Sequence, residues 1–139
     1  MIMDNLDVKE WIKYAEEDYA AAIAMAKSLG NPYSPRKVCY DCQQSAEKIL
    51  KAYTIARGNI LNKTHNLDLL LDECVTHSAD FESLRKICQP LTLYVAITRY
   101  PPLMKVDESD MNQAIKDASQ ILEFTKSKLK EMGYEHNPE

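Results

Sequence analysis

The sequence predicts an all-α protein: an up-and-down helical bundle of four long helices and one short one. Three observations carry that expectation. Apolar residues recur at three- and four-residue spacing over long stretches. Few segments alternate in the way a half-buried strand would. Only three glycines occur in 139 residues. At this length a single domain is expected, spanning 1–139, with its core over about 6–132 and a disordered tail over 133–139.

The first helix is expected over about Leu6 to Leu29. Asp4, Asn5 or Asp7 supplies a short acceptor for the free amides of its first turn. Trp11, Ala15, Tyr19 or Asp18, Ala22, Ala26 and Leu29 draw its apolar stripe. Gly30 is a stop signal, and Asn31-Pro32-Tyr33-Ser34-Pro35 a connector. The second helix is expected over about Ser34 to Ala56, with Pro35 in its first turn, where a missing amide costs nothing. Its stripe (Val38, Cys42, Ala46, Ile49, Tyr53, Ala56) is widened by Cys39 and Leu50, as suits a central helix.

A short third helix is expected over about Asn66 to Val75, capped by Thr64 or Asn66, with Leu67, Leu70, Leu71 and Cys74 facing inward. A fourth helical region spans about Asp80 to Arg99, and Pro90 should kink or split it by removing one amide. The last helix runs from Asp107 or Ser109 to Met132, with Met111, Ile115, Ala118, Leu122, Thr125 and Leu129 inside and Gly133 at its end.

The formal net charge is −4. That argues against broad electrostatic attachment to nucleic acid, which needs a basic face, while leaving room for a local basic groove. The N-terminus lacks a cationic region followed by an apolar run, so no leader is expected. No stretch approaches the roughly 18 apolar residues of a membrane span, so no membrane partner is expected. The four cysteines, Cys39, Cys42, Cys74 and Cys88, read as reduced thiols, which sets the expected location as cytoplasmic. Cys39 and Cys42 form a C-x-x-C, but no second pair follows at metal-binding spacing. Core thiols are therefore expected, with no metal and no cofactor.

Three segments carry chemistry. Gln43 and Gln44 are adjacent polar residues on a mostly buried helix, about 100° apart around its axis. One of them should face a groove or a partner subunit, because a buried amide needs hydrogen-bond partners. Glu47 and Lys51, four apart, are expected to give no more than helix support. Lys63-Thr64-His65-Asn66-Leu67 places a cation and an imidazole where a helix begins. Free amides and the helix dipole there favour an anion; a plain cap is the other reading. Thr98-Arg99-Tyr100-Pro101 ends the fourth helical region with an arginine suited to phosphate.

In order and spacing, Trp11, Gln43-Gln44-Ser45-Ala46-Glu47-Lys48 with Lys51-Ala52, Lys63-Thr64-His65 with Leu67, and Arg99-Tyr100-Pro101 resemble the HEPN family of nucleotide-binding domains. The resemblance covers about Trp11 to Leu129. It implies an all-α up-and-down bundle, frequently a homodimer, with a role around nucleotides or RNA. It also implies, as a partner, a small nucleotidyltransferase in a toxin–antitoxin-like pair. Ribonucleases of that family carry an arginine, four to six intervening residues, and a histidine. Here seven residues separate Arg57 from His65, and Asp41 stands where relatives often have a histidine.

The expected function is accordingly a non-catalytic nucleotide- or RNA-binding module, with Lys63, His65 and Arg99 on the phosphate and Gln43 or Gln44 facing the groove. The alternatives are a metal-independent ribonuclease toxin using His65 with Arg57 or Arg99, and a helical module that only docks a protein.

Overall fold

Three helices of this chain begin at a side chain that serves the free amides of the first turn. The computed structural model describes residues 7–28, 30, 34–98 and 105–135. Helix α1 spans Val8–Ala26 and begins where Asp7 accepts a bond from the Lys9 amide at 2.9 Å. Helix α2 spans Ser34–Ala56, as the sequence pattern anticipates. Helix α3 covers Leu67–His77, α4 covers Arg85–Thr92, and α5 covers Glu108–Glu131. No strand occurs among the described residues. Asp107 and Asp110 form a reciprocal capping box that opens α5. Of the expected features, Asp4, Asn5, Leu6, Leu29, Asn31-Pro32-Tyr33 and Arg99-Tyr100-Pro101 lie outside the described residues.

The fourth helical region departs from expectation. Instead of one kinked helix over Asp80–Arg99 it is a 3-10 segment, Ala79–Leu84, then the eight residues of α4, then a second 3-10 segment, Leu93–Thr98. Pro90 lies inside α4 and has no amide to give to the carbonyl four residues back. The α-pattern persists only to Thr92 before tightening.

Helix α2 is the central strut. It packs along α1 and α5 and carries α3 and the 93–98 segment on its flanks. Ala15 and Ala22 on α1 are fully buried and small, so the two backbones can approach. Ser45 uses that proximity to donate a hydrogen bond to the Ala15 carbonyl at 2.7 Å. The far end of the core is aromatic. Phe81 is fully buried, with its ring 4.5 Å from Tyr53 and 5.1 Å, edge-on, from Phe124. These contacts join α2, the first 3-10 segment and α5.

Helix α2 ends in a left-handed turn at Gly58, where φ is +90°. The Gly58 and Asn59 amides close back on Ile55 and Thr54 at 2.9 Å each, which satisfies the last carbonyls. This turn reverses the chain, so residues 59–66 run back alongside α2. A matching turn at Gly133 follows α5, and the Tyr134 amide returns to the Leu129 carbonyl at 2.9 Å. Residues 136–139, the rest of the tail expected to be disordered, lie outside the described residues.

Truncating Phe81 to alanine removes the ring shared by three elements. Phe81→Ala should lower unfolding free energy by about 3–5 kcal/mol, the usual cost of emptying a buried phenylalanine site. Urea unfolding followed by circular dichroism measures this directly. A loss below about 1 kcal/mol would show that Phe81 does not knit these elements together.

Candidate functional site

One face of α2 carries an unusual set of buried polar side chains: Gln43, Glu47 and Lys51, spaced four apart. A buried carboxylate or ammonium is costly unless it is paired and hydrogen-bonded. Here each is. Lys51 Nζ donates to Glu47 Oε2 at 2.9 Å, with side-chain exposures of 6% and 5%. Gln43 Nε2 donates to Glu47 Oε1 at 3.2 Å and to the His65 carbonyl at 3.0 Å. Gln44 donates in turn to Gln43 Oε1 at 2.7 Å.

The partner of this face is the returning loop 59–66. Asn59 and Asn62 both donate to Glu73 on α3, at 3.1 and 2.6 Å, and Asn62 accepts from the Thr64 amide at 3.0 Å. His77 meets Asn59 Oδ1 at 2.8 Å. The loop is therefore tied to α3 at one end and to Gln43 at the other. Its imidazole lands on Glu47, with His65 Nδ1 2.9 Å from Oε1. Glu47 thus serves Gln43, His65 and Lys51. Because the carboxylate accepts, Nδ1 carries the proton and Nε2 is left as the open nitrogen. The His65 side chain is 54% exposed.

These side chains wall a groove of about 340 Å³, lined by Trp11, Glu47, Lys48, Lys51, Leu61, Lys63 and His65. Trp11 and Leu61 are buried and form an apolar floor. Lys48 reaches Asp18 on α1 at 2.6 Å. Lys63 is exposed, and no hydrogen bond or ion pair engages it among the described residues. The groove combines an apolar floor, three ammonium groups and an imidazole around one carboxylate that already accepts three hydrogen bonds.

The start of α3 is not the anion site that its position suggests. Asn66 Oδ1 takes the Asp68 and Leu69 amides, at 2.9 and 3.4 Å, and Thr92 Oγ1 takes the Leu67 amide at 3.0 Å. Thr64 Oγ1 takes the Asn66 amide at 3.1 Å. The first-turn donors are occupied, so any anion must be met by side chains in the groove.

Of the residues singled out from sequence, the structure brings Lys63 and His65 together. Gln43 is fully buried and braces the loop, and Gln44 braces Gln43. Arg99 lies outside the described residues. Arg57 caps the far end of α2, ten residues from Glu47, or roughly 15 Å along the helix. It is not a wall of the groove. Asp41 is not a wall either, and Lys37 neutralises it at 2.9 Å.

The sequence pattern missed Glu47 and Lys51, which it reduced to helix support, and it missed Lys48 and Leu61 as walls. Glu47 and Lys51 lie about 100° and 140° around α2 from Ala46, off the apolar stripe, where an i,i+4 pair reads the same whether solvated or buried.

A second cavity of about 380 Å³ lies between α1 and the end of α5, lined by Ile12, Glu123, Lys126, Ser127, Lys130, Tyr134 and Glu135. Its cations are already matched, Lys126 to Glu16 and Glu123, and Lys130 to Glu135. No His, Cys, Asp and Glu cluster with metal-binding geometry occurs among the described residues. All four cysteines are free and buried. Burial pushes the Cys39 and Cys88 thiols up to about 12, and raises Cys42 and Cys74 as well.

Removing one partner of the buried pair, as in Glu47→Leu, should cost about 3–5 kcal/mol, and adding Lys51→Met should recover most of it. Denaturant unfolding of both single variants and the double variant decides this; additive losses would mean the two charges do not act as a pair. The thiols should be inert to a disulfide reagent at pH 8 in the folded protein, and all four should react in denaturant. Rapid labelling of any one of them in the native state would contradict their burial.

A family model for the HEPN domain matches residues 8–129. No curated protein matches the chain. Among solved structures, that of TT1696 from Thermus thermophilus is similar, with a TM-score of 0.72 at 25% identity. The match covers 88% of this chain and 99% of that one.

Proposed function

The chain belongs to the HEPN domain family, and on that premise we propose that it is a non-catalytic nucleotide- or RNA-binding module. Its ligand lies in the groove between α2 and the returning loop. The observation that supports this most is the placement of Lys63 and His65, from the loop, opposite Lys48 and Lys51, from α2, over the apolar floor of Trp11 and Leu61. Ammonium groups meet phosphate; an apolar floor meets the face of a base. The acidic balance of the whole chain is no obstacle, because recognition depends on local potential rather than net charge.

The module is proposed to act in the cytoplasm as a homodimer, with a nucleotidyltransferase as partner in a toxin–antitoxin-like pair. The four free thiols suit a reducing compartment. Arg99 belongs to the proposed phosphate site through the family pattern, while Gln43 and Gln44 hold its wall.

A second reading has one observation in its favour. Glu47 fixes His65 by its Nδ1 and leaves Nε2 open, which is how a general base is oriented. A metal-independent ribonuclease would use that nitrogen, and would rely on Lys51 and Lys63 rather than Arg57 for charge.

Lys63→Ala should weaken nucleotide or RNA binding about tenfold and lower the salt slope of log K by about one, with no change in thermal stability. Titrations at two or more salt concentrations check both. Unchanged affinity and slope would remove Lys63 from the site. Cleavage of single-stranded RNA in the presence of a chelator, lost in His65→Ala, would replace the binding reading with the ribonuclease one.

A further inference from the structure

The groove is weighted towards donors. Its carboxylate, Glu47, already accepts from Gln43, His65 and Lys51, so it has little left to offer a ligand. Lys51 Nζ uses one of its three donors on Glu47, and Lys63 uses none among the described residues. The open Nε2 of His65 is the one acceptor the wall still offers. A ligand here must be richer in acceptors than in donors.

Depth adds a second restriction. Lys51 lines the groove, yet only 6% of its side chain is exposed. A phosphate must come close to reach so buried an ammonium, and an end group, with chain on one side only, does this with less obstruction than an internal phosphodiester. The volume, about 340 Å³, sits at the small end of small-molecule sites. A terminal phosphate also carries more charge than a diester, about −1.5 to −2 at neutral pH, and three acceptor oxygens.

We propose that this groove recognises a terminal phosphomonoester on a flat apolar body, with Lys51 at its base and Lys63 at its mouth, and discriminates against internal phosphodiesters. This rests on the nucleotide-binding reading above and sharpens it. The same chemistry is offered by a free nucleoside monophosphate and by the phosphorylated end of an RNA.

Trp11 is the chain's single tryptophan and a wall of the groove, so its fluorescence reports occupancy. Four probes would be titrated at low salt: adenosine 5′-monophosphate, adenosine, and one ten-nucleotide RNA with either a 5′-phosphate or a 5′-hydroxyl. The expected result is that each phosphorylated member binds at least tenfold more tightly than its unphosphorylated counterpart. Response to the monophosphate with none to either RNA identifies a free nucleotide as the source. A phosphate-dependent response to RNA with none to the monophosphate identifies an RNA end.

Equal binding of the two RNAs, with the monophosphate silent, overturns this inference and leaves the broader binding reading standing. Silence from all four overturns both. Lys51→Gln, which keeps a donor to Glu47, should erase the preference for phosphate. The ligand comparison on the unaltered protein stands even where that variant fails to fold, and a preference that survives in a folded Lys51→Gln removes Lys51 from the site.

Discussion

The carboxylate of Glu47 holds the site together. It sits on the central helix, with 5% of its side chain exposed, and three donors from three places in the sequence converge on it. Gln43 and Lys51 come from the turns on either side. His65 comes from a loop that left α2 at Gly58 and doubled back. Without the charge, Lys51 would be an uncompensated buried ammonium and His65 would lose the contact that fixes its ring. Gln43 would keep only the His65 carbonyl for its amide protons. One side chain therefore sets the position of the loop, the tautomer of the imidazole and the state of the lysine.

The start of α3, for its part, offers no free anion site. A helix start is a ready anion site only while its amides are free. Here Asn66, Thr64 and Thr92 take them, and the strong cap fixes where the loop must end. The rigidity gained at the cap is what allows Lys63 and His65, just before it, to be aimed at α2. Glu73 reinforces this from α3 through Asn59 and Asn62. The loop is braced at both ends by side-chain amides, and Lys63 and His65 line the groove.

The helices were legible in the sequence because their signals are local. Stripes at helical spacing, Asp7 and Asn66 as caps, and Gly133 as a stop each act within a few residues. The fourth region was legible only in part: Pro90 announced a disturbance, but whether the chain kinks or tightens into 3-10 turns depends on packing. In the site, Lys63 and His65 stood out by residue type. Glu47 and Lys51 did not, because an i,i+4 pair has the same spelling on a solvated face and in a core. Burial distinguishes them, and burial is a tertiary property. The burial of Gln43 was half legible, since a polar residue on a central helix demands a partner, but nothing local identifies that partner as the backbone of residue 65.

A buried ion pair is a weak stabiliser. Desolvating two charges offsets most of their attraction, and apolar residues of similar size often serve as well or better. Stability alone therefore gives no reason to find Glu47 and Lys51 inside α2. Holding the pair does something an apolar replacement could not: it keeps an ammonium with unused donors at the base of a groove, and a proton fixed on the inner nitrogen of an exposed imidazole. The pair is costly in the core, and besides fixing the loop it leaves unused lysine donors at the groove, which is the asymmetry that the proposed ligand site rests on.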